Sequence, residues 1–306
     1  MRVPAWLIAT AAAALAAGPL PIKDLPPGKV MMVIQPHHDD HTTDYGMGGL
    51  IAKFSDAGYE SHFVRASNDE KDGAHGYGHN DLINERESKA AIAILGMSEL
   101  YSLSWRNDYM DPIPLQELRA QLIFLIRKHR PDVVLTHDPW GHYDRNPDHR
   151  KVARAMGDAY WLAGLENVHP EHFELGVRPH RVPYLYFKAR VDYGKGHEPN
   201  VAVELNESQV RRKMRAYSTH RNVYASPAMA RAVRAQLAEE GLELPDLRGL
   251  SDEAAAVEME EWHMDWISRK RGRENGVRYA EVYYFVDEFD HLPGLKEYLR
   301  QHTVQK

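Results

Sequence analysis

Hydrophobic and polar positions along the chain fall into two alternating periods. The run KVMMVIQP (29–36) is apolar almost throughout and ends at a proline. That is the pattern of a strand covered on both faces in a parallel sheet. GMGGLIAKFSDAGY (46–59) then has helical spacing, a Gly-rich entry and a Gly58 exit. The alternation continues: ESHFVRAS (60–67) is a strand, NDEKDGAHGYGHN (68–80) a polar loop, and DLINERESKAAIAILG (81–96) a helix ending at Gly96. LYSLSW (100–105) is a strand, and LQELRAQLIFLIRKHRP (115–131) is a helix with a basic last turn and a proline stop. DVVLTHDP (132–139) is a strand and NPDHRKVARAMGDAYWLAG (146–164) a helix. Strand and helix in strict alternation predict an α/β protein, a Rossmann-like three-layer fold with a mainly parallel central sheet.

The last third is less regular. PYLYFKARV, VAVELN and AEVYYFVDEF are strands, and ESQVRRKMRAYSTH is a helix capped by Asn206. The stretch 226–262 is acidic and helix-prone, and predicts a helical insert near 225–265 at the rim of the site. Neither a linker nor an internal repeat divides 29–306, which is expected to form a single domain.

Ahead of that domain, residues 1–17 carry one early cation, Arg2, then an apolar run from 5 to 17. Ala14-Leu15-Ala16 fits a small-x-small cleavage site, and Gly18-Pro19 follows. The expectation is a secretory signal peptide, a linker over 18–28, and a secreted or periplasmic protein. The apolar run is short for a membrane span, and no transmembrane helix is expected in the mature chain. The chain has no cysteine, which excludes disulfides, thiolate metal ligands and a lipid-anchored thiol. Its 38 basic and 44 acidic residues give a net charge of −6 without a Lys/Arg block, so nucleic acid is not an expected partner. The sequence carries no signal for an oligomeric state.

Two polar clusters follow apolar strands directly: PHHDDH (36–41) and HDPWGHYDRNPDH (137–149). In open parallel sheets, ligands bind beyond the carboxyl ends of the strands, which puts both clusters on one rim. Adjacent carboxylates in extended chain point apart, so Asp39 and Asp40 are suited to different tasks on one ion. Two such carboxylates repel unless a cation relieves them. Asn146 and Pro147 read as a helix N-cap and first helical residue, leaving His149 in the first turn. The positive end of the helix keeps an imidazole there neutral, the form a metal needs. GMGG opens a helix after a strand, but the acidic turn before it would repel a pyrophosphate. Gly48 and Gly49 are expected to permit close packing of that helix.

PHHDD, the GG that follows it, and VVLTHDPWGHYDRNPDHR together resemble the PIG-L (LmbE-like) family of zinc-dependent N-deacetylases. ESKAAIAILG and KMRAYSTH resemble the family's secondary signatures, and the likeness spans roughly 28 to 220. The resemblance implies that His37, Asp40 and His149 are zinc ligands and that Asp39 is the general base. The implied reaction removes acetyl from an N-acetylated sugar or related amine, a small-molecule substrate that includes glycosides. A metal-activated water attacks the acetamide, and Asp39 carries the proton to the departing amine. An N/O donor set admits Fe(II) as well as Zn(II).

The chain departs from the family at three positions. His38 stands where a proline is usual, His41 where an acid is usual, and Asn146 where the Pro-Asp-His motif is usually preceded by histidine. That last position is implied to stabilise the oxyanion, and losing one such donor typically costs about 2.7–4 kcal/mol. Asn146 offers a neutral N–H there, with His142, then Arg145, as replacements. Asp138 is either an acceptor orienting a ligand histidine or a turn former. Arg86 and Asp108 lie where the family places substrate contacts, and His220 is either near the site or a structural histidine. The Asn146 change keeps a second class of function open, a non-catalytic metal- or carbohydrate-binding protein of the same fold. A different metallohydrolase on the same rim is a third, though a two-metal phosphatase would need more bridging carboxylates.

Overall fold

The computed structural model describes residues 18–43, 46–107, 110, 112–140, 144–188, 198–224, 226–287 and 292–304. The expected signal peptide, Asp108 and His142 lie outside these. The described residues form one seven-stranded sheet in the order β3-β2-β1-β4-β5-β7-β6. The strands are β1 (Val30–Gln35), β2 (Glu60–Ser67), β3 (Glu99–Trp105), β4 (Val133–His137), β5 (Tyr184–Lys188), β6 (Val201–Glu204) and β7 (Ala280–Asp287). β1 through β5 run parallel, and β7 is antiparallel to both β5 and β6. The mainly parallel sheet expected from the alternating pattern is present.

Each central strand is buried on both faces, and its alternate residues feed two separate cores. Met31, Val33 and Phe63 face one layer with residues of α1 (Gly48–Asp56), α2 (Tyr77–Leu95) and α5 (Glu207–Tyr217). Met32, Ile34 and Val64 face the other, with α3 (Leu115–His129) and α4 (Pro147–Leu162). Buried on both sides, these strands have no solvent face to mark with polar residues, which is why KVMMVIQP reads as a continuous apolar run.

Strand order reverses direction between β1 and β4, which pair directly from Met31 with Val133 to Val33 with Leu135. The chain leaving β1 and the chain leaving β4 therefore emerge side by side at a topological switch point.

Several boundaries differ from the expected ones. α2 starts at Tyr77, not 81, because Asn80 closes the entry. Its Oδ1 accepts from His75 N at 3.0 Å and its Nδ2 donates to His75 O at 2.8 Å. Gly76 and Gly78 mask that first turn in the sequence. The insert comprises α6 (Pro227–Glu239), a short 3-10 turn at Pro245–Leu247, and α7 (Asp252–Glu274), and continues past 265. It has its own small core of Ala230, Leu247, Ala255 and Ala256. A helix not anticipated from the sequence, α8 (Pro293–His302), follows β7 and buries no residue. The expected linker runs along the sheet edge, with Lys23 N donating to Ala202 O and Ala202 N to Pro21 O. Among the described residues no helix is long and apolar enough to cross a membrane.

β7 reaches back to α1 through one buried carboxylate. Glu281 accepts from Gly49 N at 3.0 Å and Leu50 N at 2.8 Å, at the positive end of that helix. Lys213 Nζ lies 2.8 Å from the same carboxylate, with both side chains almost fully buried. Gly49 is needed for this approach, since a Cβ there would stand 2.3 Å from Leu205 Cδ1 and 2.9 Å from Glu281 Oε1. Glu281→Ala removes the counter-charge of a buried ammonium and the cap of the helix. A loss of about 3–5 kcal/mol in urea unfolding is expected. A change under about 0.5 kcal/mol, the range of an ordinary surface substitution, would contradict this.

Candidate metal centre

Residues 36–43 leave β1 as a tight, buried turn. Thr42 Oγ1 donates to Asp39 O and Thr43 Oγ1 to Asp40 O. His38 N donates to Asp69 Oδ2 at 3.0 Å, and Lys188 Nζ, at the end of β5, donates to Asp40 O at 3.0 Å. Asp69 is held in the left-handed region at φ 56°, a strained backbone for a non-glycine residue beside a site.

This turn meets the start of α4. His37 Nδ1 lies 3.1 Å from His149 Nε2 and 3.2 Å from Asp40 Oδ2, and His149 Nε2 lies 3.2 Å from Asp40 Oδ1. All three residues are at least nine-tenths buried. Donors bound to a tetrahedral ion at about 2.0–2.1 Å are separated by roughly 3.3 Å, so the trio already has the spacing of a coordination polyhedron. Two imidazole nitrogens and a carboxylate suit a borderline divalent ion such as zinc. The far nitrogens of both rings are held by carboxylates: His37 Nε2 by Asp148 at 3.3 Å, and His149 Nδ1 by Asp144 at 2.8 Å. A carboxylate on the remote nitrogen fixes ring orientation and tautomer in metal sites.

Charge is balanced closely around the trio. Burial acts to raise the Asp40 pKa, but His149, Lys188 and His137 together pull it well below the usual carboxylate range. Burial acts to lower the His37 pKa, and hydrogen bonds to Asp148 and Asp40 carry it well above its ordinary value instead. His137, at the end of β4, has its Nε2 3.5 Å from Asp40 Oδ1. Burial and then Lys188 push its pKa well down, so it is a neutral imidazole.

Asp39 does not join the trio. Its Oδ2 accepts from the hydroxyl of Tyr224, and burial and Asp39 together drive the tyrosine pKa well above its ordinary value. The two adjacent carboxylates thus turn to different partners. Asn146 caps α4, its Oδ1 accepting from Asp148 N at 2.9 Å, and Pro147 opens the helix. Its side-chain oxygen is committed to the helix, leaving the amide Nδ2 as its donor group. Asp138 Oδ1 accepts from Trp140 N at 2.8 Å, the turn role. Arg145, Arg86, His75 and His79 are exposed. His220 is fully buried against the rings of His38 and His41.

Sequence reasoning missed Asp144, Asp148, His137, Lys188 and Tyr224. The first two lie inside the second motif, where two carboxylates shortly before His149 were the available signal. His137 and Lys188 close apolar strands on the same rim, opposite one another in the sheet register. Tyr224 arrives from a segment with no local signal, positioned by Asn222. That amide donates to Asn80 Oδ1, Asn84 Oδ1 and Asp72 O.

Residues 32–160, which contain both polar clusters, match the PIG-L family profile, described as GlcNAc-PI de-N-acetylase. Residues 32–160 form a PIG-L family domain. It is 29% identical to the diacetylchitobiose deacetylase of Thermococcus kodakarensis over 199 residues, 64% of this chain and 70% of that one. The solved N,N'-diacetylchitobiose deacetylase of Pyrococcus horikoshii, complexed with its inhibitor MPG, aligns over 86% of both chains, with 25% identity and a TM-score of 0.65. A 4-carboxy-2-hydroxymuconate hydratase from Pseudomonas putida KT2440 shares the fold at 20% identity and a TM-score of 0.60, over 85% of this chain and 96% of its own. The PIG-L fold therefore does not by itself fix the reaction, which has to be argued from the site.

The carboxylate holding His149 gives one direct test of this candidate centre. Asp144→Asn leaves the shape of the side chain but weakens its hold on the ring. Zinc affinity is expected to fall about 10–100-fold by competition with a chromophoric chelator. An unchanged affinity would show that His149 is oriented by something else.

Proposed function

We propose that this protein is a metal-dependent N-deacetylase that hydrolyses the acetamide of an N-acetylated sugar or related amine. The observation that carries this reading is the convergence of His37, Asp40 and His149, with the Asp39 carboxylate beside them and outside the ligand set. Similarity to two diacetylchitobiose deacetylases supports a sugar-derived substrate. His37, Asp40 and His149 would hold the ion, with zinc as the first choice and Fe(II) compatible with the same donors. A bound divalent ion supplies Lewis-acid polarisation of the acetamide and a lowered pKa for water.

The chain's own groups do the rest. Asp39 takes a proton from the attacking water and returns it to the departing nitrogen. Tyr224 fixes the carboxylate for that transfer. Asn146 Nδ2 and neutral His137 are donors available to the developing oxyanion; His142, proposed from the sequence for the same task, lies outside the described residues. Lys188 and the carboxylates of Asp144 and Asp148 hold the ligands in place. As a further part of this reading, residues 1–17 are a cleaved leader and the protein acts outside the cytoplasm. N-terminal sequencing of the secreted or periplasmic product should begin after residue 17.

Zinc-loaded protein should release acetate from N,N'-diacetylchitobiose or a related N-acetylated sugar, followed by proton NMR. Because Asn146 replaces the expected histidine, a metal- or carbohydrate-binding role without turnover is the second reading. Metal-loaded protein that binds such sugars but releases no acetate from any N-acetylated amine tested would favour it.

A further inference from the structure

A second set of metal-type donors is buried on the other side of the same turn. His37 faces His149, whereas His38 turns to His220, with ring centroids 5.1 Å apart and planes at 75°. One ring nitrogen from each of His38 and His220 and one carboxylate oxygen of Glu87 lie within 4.8 Å of one another. Both histidines are fully buried. Neither nitrogen of either ring has a hydrogen-bond partner. Asp69 Oδ2 stands 3.2 Å from His38 Nδ1, close enough for ion pairing but without hydrogen-bond alignment. Glu87 is half-buried on α2, and both its oxygens lie 3.2 Å from the backbone N of Asn222.

A fully buried imidazole with neither a hydrogen bond nor an ion pair is costly, and His220 is one. The Asn side chains around the cluster are engaged elsewhere: Asn222 Nδ2 donates to Asn84 Oδ1 and to the backbone oxygen of Asp72, and Asn84 Nδ2 donates to the backbone oxygens of Asp69 and Asp72. The donor set is two imidazoles and a carboxylate, the same chemistry as the trio that includes His149, with Asp69 as a further carboxylate beside it. His41 packs against Phe63 at 4.4 Å and 6.0 Å from His220, forming a wall of the cluster.

We infer that His38, Glu87 and His220 form a second, structural site for a zinc-class divalent ion. It would join the β1 turn, α2 and the segment that delivers Tyr224. An ion there would tie residues 220–224 to the turn that bears Asp39, holding Tyr224 on its carboxylate. Being enclosed, this site would acquire its ion on folding and surrender it slowly.

Protein stripped of metal under mild denaturation, refolded with zinc and desalted should carry two equivalents per chain by mass spectrometry. Glu87→Gln, which keeps the side-chain shape, and His220→Ala should each carry one. His149→Ala should also carry one, and Glu87→Gln combined with His149→Ala none. Circular dichroism establishes that each variant is folded. If His220→Ala does not fold, Glu87→Gln decides, together with anomalous diffraction at the zinc edge for a peak between His38, Glu87 and His220. A single equivalent in the wild type that disappears with His149→Ala would overturn the inference, and so would two equivalents retained in Glu87→Gln. Either result leaves the proposed deacetylation standing, since that rests on the His149 trio.

Discussion

Asp39→Asn is expected to lower the rate of acetate release by about 10²–10⁴-fold, the usual contribution of a positioned general base. Zinc bound at the His149 trio should be unchanged. Asp39 is buried, and its backbone oxygen accepts from Thr42 Oγ1, which holds the main chain there independently of the side-chain charge. Asparagine has the same shape and still accepts a hydrogen bond from the Tyr224 hydroxyl. What it lacks is the capacity to take a proton. The three converging donor atoms belong to other residues, so the ion stays while proton transfer is lost. Metal content and turnover measured on one preparation separate these effects. Full turnover in Asp39→Asn would remove the base from the mechanism, and loss of zinc would make Asp39 a ligand.

The second large effect is at His149 itself. His149→Ala removes one of the three proposed donors, and zinc affinity should fall by more than the roughly 10–100-fold that follows loss of an outer carboxylate. Acetate release should fall with it. The wild-type site also has a predictable pH dependence. In metal-free protein His37 titrates well above its ordinary value of 6.5. Its proton is therefore bound at and above that pH and must leave when zinc enters. Zinc affinity should rise with pH through this raised pKa, releasing about one proton per ion, and weaken as pH falls. Calorimetry in buffers of different ionisation enthalpy measures that proton directly. Zinc affinity independent of pH across the range above 6.5 would be inconsistent with the His37 environment.

The parts of the site legible in the sequence are those in which one segment supplies both the residue and its position. PHHDD follows an apolar strand, so His37 and Asp40 could be placed on a rim from the strand alone. Asn146-Pro147 marks a helix start, so His149 could be placed in a first turn. Their convergence followed from strand order, because β1 and β4 are neighbours at the switch point. The remainder depends on contacts with no local signature. Glu281 is an ordinary strand residue until β7 brings it to the N-terminus of α1 and to Lys213. Tyr224 lies 185 positions from Asp39, and the Asn222 network, a stack on the Tyr217 ring and a backbone bond to His220 O set its place. His38 and His41, without a role in the sequence, pack with His220 in a buried cluster that periodicity does not reveal. The first turn of α2 was hidden because its glycines read as loop while Asn80 closes it as helix.

The most direct measurement is anomalous diffraction from zinc-loaded crystals of the active protein, recorded on both sides of the zinc edge. The account predicts a peak about 2.0–2.2 Å from His37 Nδ1, an Asp40 carboxylate oxygen and His149 Nε2, with Asp39 close by but not bound. Protein that releases acetate while showing no zinc density at those three atoms would contradict it.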